Sequence, residues 1–269
     1  MTMTLEKPYP LSVGRQLVED IRGASKPVWL TILAFLAFSI LCVGFGWLDD
    51  RLLNGVSVWN KPAKFFLSLA VQFATVSWAL TLLPIAERKA TSMNAVMIFM
   101  VACGWLEMIY IVFRAARGEA SHFNSANLSA QVLYGVMGVF AVSMALTAGY
   151  VGLRLWRHRR NGLWTEAAAL GLIAGTILGM FAGAYMSAQT SHWVGGATTD
   201  AGGLGFFSWS TTGGDLRVAH FVGMHAAQII PLAALSGNRR MVYGTAALMA
   251  ILTLGTFAMA ISGTPLLRM

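Results

Sequence analysis

Seven stretches of this chain are apolar for long enough to cross a hydrocarbon layer ~30 Å thick as helices, which takes roughly 20 residues apiece. They cover 28–48, 65–85, 95–113, 129–150, 163–186, 218–235 and 241–261. Of the 269 residues, 57% are hydrophobic and only 11% charged, with a mean hydropathy of +0.64. That balance leaves too little polar surface to cover a soluble domain. The expected fold is all-α: one seven-helix transmembrane domain over 28–262, a tail over 1–27 and a short tail over 263–269. Leu17 and Ile21, four apart, suggest an interfacial helix before the first span. No full-length internal repeat of the inverted-transporter kind is present.

Lysine and arginine are retained on the cytoplasmic side, so their placement gives orientation. Lys7, Arg15, Arg22, Lys26, Arg88, Lys89, Arg154, Arg157, Arg159, Arg160, Arg239 and Arg240 fall on one side, 12 of the 19 basic residues. Arg51, Lys61, Lys64, Arg114, Arg117, Arg217 and Arg268 fall on the other. The N-terminus is therefore expected in the cytoplasm and the C-terminus in the periplasm. The net charge of +8 reads as this topology signal and not as a nucleic-acid surface, because Leu155 and Trp156 interrupt the longest basic run.

With that orientation, His122, His192, His220 and His225 lie in outer loops or outer helix turns, while His158 joins the cytoplasmic basic run as a solvated residue. Glu107 is the carboxylate set deep in a span, and an ionisable group there marks function or a structural pair. Arg114, seven residues on, shares nearly the same helix face. The connection 187–217 is long for a compact domain and carries His192, Trp193, Phe206, Phe207 and Trp209, which favours a folded lid over a loose linker. It leads into the densest polar stretch, from Gly213 to Gln228. His220 and His225 are five apart and so point in different directions. Gln228 sits at i+3 from His225, where it can orient the imidazole, with Asp215 as another supporting group. Pro231 is expected to kink the sixth span.

Gly171, Gly175, Gly179 and Gly183 form a four-residue ridge suited to close helix packing, in the chain or between copies as a homo-oligomer seam. Cys42 and Cys103 lie inside spans and read as packing residues. A lysine is missing from the seventh span, which excludes a retinal Schiff base there, and the His-Glu-x-x-His, Cys-x-x-Cys, Gly-x-Ser-x-Gly and P-loop patterns are absent.

The strings Trp59-Asn60-Lys61-Pro62-Ala63-Lys64-Phe65, Arg117-Gly118-Glu119-Ala120-Ser121-His122-Phe123-Asn124 and Gly214-Asp215-Leu216-Arg217-Val218-Ala219-His220 resemble those of uncharacterised bacterial integral membrane proteins. The resemblance implies a bacterial inner membrane and a periplasmic site, and brings no activity with it. Three readings of that site follow. Haem b held by His122 and His225, its propionates on Arg114, Arg117, Arg217 or Lys61, would serve electron transfer with quinone or a periplasmic redox partner. Zinc, copper or iron held by Glu107, His122, His192, His220 and His225 would serve a membrane enzyme. The same cations and imidazoles, free of metal, would bind an anionic solute or lipid headgroup in a transporter, sensor or accessory protein.

Overall fold

The computed structural model describes residues 13–124 and 126–268. Residues 1–12 of the expected tail, and residue 269, lie outside them. The structure is all-α apart from two short ribbons. In chain order the helices are α1 (Val13–Ala24), α2 (Lys26–Leu48), α3 (Asn60–Thr81), α4 (Ile85–Arg88), α5 (Thr91–Ala116), α6 (Leu128–Arg157), α7 (Leu163–Ala188), α8 (Leu216–Leu232) and α9 (Arg239–Ile261). Among the described residues α2, α3, α5, α6, α7, α8 and α9 are long and apolar enough to cross a membrane, α8 when counted with the 3-10 turn that carries it to Ser236. Side chains from the residue before each helix start α6, α8 and α9: Asn127, Asp215 and Asn238 accept from the Ala130, Arg217 and Arg240 amides.

Two boundaries differ usefully from the apolar pattern. Helix α3 starts at Asn60 and not at residue 65, so Lys61 and Lys64 are helical. Helix α6 runs on past Tyr150 to Arg157, so Arg154, Leu155, Trp156 and Arg157 belong to a helix and not to a basic loop. Hydrogen bonds along a helix ignore side-chain polarity, so a span ends where its backbone turns, not where its side chains become charged.

The long helices alternate in direction. We call the end that holds the α2–α3, α5–α6 and α7–α8 connections the upper end. Its loops are tied together: Arg51 Nη1 donates to the Ala116 carbonyl at 3.0 Å, and the Asp200 amide to the Asn54 carbonyl at 2.8 Å. The α2–α3 connection carries the ribbon β1 (Leu52–Leu53) and β2 (Val56–Ser57). The α7–α8 connection pairs β3 (Trp193–Val194) with β4 (Gly214–Asp215), Trp193 opposite Asp215. At the lower end, Glu87 of α4 takes Arg154 Nη2 at 2.5 Å and His158 Nε2 at 2.7 Å. His158 is thus a member of a structural cluster, not the free loop residue its neighbours suggest. Helix α1 packs against α3, its Ile21 carbonyl accepting from Ser77 Oγ at 3.0 Å.

Helix α8 lies along α7 at glycine-limited distance. A Cβ on Gly171 would meet Pro231 Cδ at 2.8 Å, one on Gly175 the Ala227 amide nitrogen at 3.0 Å, one on Gly179 Met224 Cγ at 2.6 Å and one on Gly183 the His220 ring at 3.1 Å. The ridge is covered by α8 of the same chain, so it is not open to the homo-oligomer seam considered above. Pro231 falls in the last turn of α8 and precedes the Ala233–Ser236 turn, so it closes the helix instead of kinking it. Cys42 and Cys103 are buried, unpaired thiols.

Candidate functional site

Helix α5 turns the face of Glu107, Tyr110 and Arg114 inward, at spacings of three and four. Glu107 is only 2% exposed, and its Oε2 has no hydrogen-bond partner among the described residues. Arg114, on nearly the same helix face, does not pair with it. Its Nη1 instead pairs with Glu119, and its guanidinium lies 5.7 Å from the centre of the Tyr110 ring. Glu119 also accepts from Arg117 Nε at 2.9 Å. The turn after α5 delivers this carboxylate, and being close in the chain it reaches Arg114 where Glu107, two turns down, does not.

Opposite α5, the first turn of α3 supplies Lys61 and Lys64. Lys64 Nζ is held by the Phe207 carbonyl at 2.9 Å and Ser208 Oγ at 3.3 Å. Lys61 is partly buried, and its Nζ sits 5.6 Å from the centre of the Phe65 ring. Among the described residues it makes neither a hydrogen bond nor an ion pair, yet it lies within electrostatic reach of Glu107, Asp200, Arg217 and Lys64.

The α7–α8 connection closes the third side. Asp215, 2% exposed, accepts from the amides of Ser210 and Arg217 and from Arg217 Nη2 at 2.6 Å. Arg217 Nη2 also reaches the Ser208 carbonyl and Asp200 Oδ1, both at 2.8 Å. These contacts fix the loop, so Arg217 and Asp215 hold the wall together and are not groups kept free for a ligand. His192 Nε2 lies 3.6 Å from Asp200 Oδ1, near enough for charge attraction and too far for a hydrogen bond. Burial raises the Asp200 carboxyl, but His192 and Arg217 outweigh it and hold the group below its usual range. The His192 ring is pushed below its ordinary 6.5, first by burial.

His122, in the turn after α5, stands with its ring centre 5.3 Å from Phe65, 5.9 Å from Tyr134 and 6.1 Å from Phe123, and Phe123 is in turn 6.1 Å from His192. Burial, then the charge of Lys61 and the nearby His192 and His220, keep the His122 imidazole neutral well below 6.5. His220 Nδ1 donates to the Gly179 carbonyl at 2.8 Å. His225 turns elsewhere. Its Nδ1 donates to the Phe221 carbonyl at 2.8 Å and its ring stacks on Phe221 at 3.9 Å. Gln228 does not orient it, because its Nε2 crosses to Thr75 Oγ1 at 2.9 Å and ties α8 to α3.

His122 thus lies within electrostatic reach of Lys61, His192 and His220, and His220 in turn within reach of His225. Among the described residues no three His, Cys, Asp or Glu side chains come together as a metal set. Buried polar atoms without a hydrogen bond among the described residues include Glu107 Oε2, Tyr110 Oη, Arg114 Nε, His192 Nε2, Trp193 Nε1 and Asp200 Oδ1, the last within ion-pair distance of both Arg217 and His192. All six belong to the upper half of the bundle. Native proteins leave few such atoms unpaired, and each calls for water, an ion or a ligand. Lys64, Tyr110, Glu119 and Asp200 were not among the site residues expected from the sequence. Lys64, one turn from Lys61, carried the clearest signal.

Comparison with protein-family models, with curated proteins and with solved structures finds no match to this chain.

Proposed function

We propose that the chain is a multi-pass protein of a bacterial inner membrane, its N-terminus cytoplasmic, and that its periplasmic half binds an anionic ligand without a metal, as a transporter, sensor or accessory protein does. The carrying observation is Lys61, which makes no hydrogen bond or ion pair among the described residues, set within electrostatic reach of Glu107, whose buried Oε2 has no hydrogen-bond partner among them. A ligand with both an anionic oxygen and an O–H group satisfies both: the anion accepts from Lys61 and the hydroxyl donates to Glu107. Protonated phosphate has this chemistry, and so does the phosphoglycerol headgroup of a lipid. The neutral imidazoles of His122 and His192 add hydrogen bonds without adding charge. Arg114, Arg217 and Lys64, already engaged, keep the potential positive.

Calorimetric titration of the protein in phosphatidylcholine nanodiscs with inorganic phosphate, beside reconstitution in phosphatidylglycerol, tests this. Saturable phosphate binding that is lost in Lys61→Met identifies a solute site. Phosphate-inert protein that takes up one phosphatidylglycerol more than Lys61→Met does identifies a headgroup site. Equal behaviour of wild type and Lys61→Met in both arms overturns the proposal.

One observation favours a second reading. His220 and His225 each donate Nδ1–H to a backbone carbonyl, which leaves Nε2 as the free lone pair, the arrangement common in metal- and haem-ligating histidines. In that reading haem b, or zinc, copper or iron, sits in the upper half and the chain passes electrons to quinone or a periplasmic redox partner. An oxidised and a dithionite-reduced optical spectrum separate the readings: a shifting Soret band supports haem, and a featureless spectrum from haem-replete cells removes it.

A further inference from the structure

On the outside of the bundle, α5 and α6 leave a groove of about 240 Å³ lined by Val96, Phe99, Ser143, Leu146, Thr147 and Tyr150. Helix α6 contributes positions at i, i+3, i+4 and i+7, which form one face. That face continues downward to Arg154 and Arg157. The walls are mainly apolar, and two of the polar groups are already engaged: Thr147 Oγ1 donates to the Ser143 carbonyl at 2.9 Å, and the Tyr150 hydroxyl accepts from Arg154 Nη1 at 3.3 Å. An apolar slot of this kind suits a hydrocarbon chain.

Its lower rim has one sign of charge. Glu87 neutralises Arg154, but Arg88, Lys89, Arg157 and Arg160 make no ion pair among the described residues. Lys89, Arg157 and Arg160 are exposed. From Tyr150 to Arg157 the helix rises about 10 Å, comparable with the step from the edge of the hydrocarbon to the phosphates, since headgroups add roughly 5–8 Å on each side. We infer that this groove is a binding site for an anionic phospholipid, one acyl chain lying along Val96, Phe99 and Leu146 and the phosphate on Arg157 and Lys89. Charge complementarity selects the anionic headgroup, and the apolar slot selects an attached chain. The inference needs the helices to stand in a bilayer and is independent of any ligand at Lys61.

Native mass spectrometry of the full chain, exchanged into detergent with equal amounts of phosphatidylglycerol and phosphatidylcholine, tests it. Wild type and Lys61→Met both retain one phosphatidylglycerol at this groove in several-fold preference over phosphatidylcholine. The double variant Arg157→Gln with Lys89→Gln loses the preference while still holding a lipid. Leu146→Trp, and separately Val96→Phe, fill the slot and lower retention of both lipids in protein that elutes as a single folded species. Retention that follows Lys61 instead of Arg157, absence of headgroup preference in wild type, or undiminished retention in both slot-filling variants overturns it.

Discussion

Replacing Gly223 with alanine puts a methyl group where α8 crosses α7. Its Cβ would stand 2.9 Å from the Leu178 carbonyl carbon, 3.0 Å from the Leu178 oxygen and 3.1 Å from the Gly179 nitrogen. Non-bonded carbons prefer ~3.5–4.0 Å, and all three neighbours are backbone, so no side chain can swing aside. The helices must move apart by about 0.5–1 Å, the shortfall from that contact distance. Overpacking of this order costs ~1–3 kcal/mol. On α9, Gly255 has nothing within 4 Å of an added Cβ, so Gly255→Ala collects only the higher helix propensity of alanine, up to ~1 kcal/mol. At roughly 2–4 °C per kcal/mol for domains of this size, Gly223→Ala should unfold about 2–12 °C below Gly255→Ala. Tryptophan fluorescence during heating, both variants in one detergent, measures it. The same shift would loosen the bond from His220 to the Gly179 carbonyl and so disturb the upper site. If Gly223→Ala unfolds at or above Gly255→Ala, the reasoning about a glycine-limited α7–α8 seam fails.

Lys61→Met should raise the unfolding temperature of ligand-free protein, because an apolar isostere removes a donor whose missing partners cost ~1–3 kcal/mol; a lowered temperature would reveal a structural partner. Asp215→Ala should cost about 3–5 kcal/mol, as it strips Arg217 and the start of α8 of a buried carboxylate, and unfolding little changed from wild type would refute that role. His122 and His192 stay neutral in the fold while the unfolded chain takes up protons below about 6.5. Their stability is therefore complete above that pH and falls as pH drops below it, by at most ~1.4 kcal/mol per unit for each. Unfolding temperatures from pH 7 to 5.5 should show this slope, and His122→Gln should flatten it; a pH-independent wild type contradicts the burial of both rings.

The apolar runs made the helices legible because length and hydropathy are local properties, and so was the glycine ridge; the capping role of Asp215 was not read from the sequence. The ends of α3 and α6 were not, since a helix keeps its hydrogen bonds through Lys61, Lys64, Arg154 and Arg157 whatever their charge. Site residues could be collected on one side by topology, but their pairing is a matter of distances across the bundle. Arg114 chose Glu119 over Glu107, Gln228 chose Thr75 over His225, and His158 found Glu87 from 71 residues away. The lone position of Glu107 was visible in the sequence. That Lys61 comes within reach of Glu107 with no hydrogen bond or ion pair among the described residues was not, because nothing in its own stretch of chain fixes where its side chain ends.

The most direct test of the central claim is an electron cryomicroscopy map of the protein in native-lipid nanodiscs, read between Lys61 and Glu107. The account predicts density for a ligand that touches Lys61 Nζ and Glu107 Oε2 together and is missing from Lys61→Met. A direct Lys61 to Glu107 ion pair, with no density between them, would contradict it.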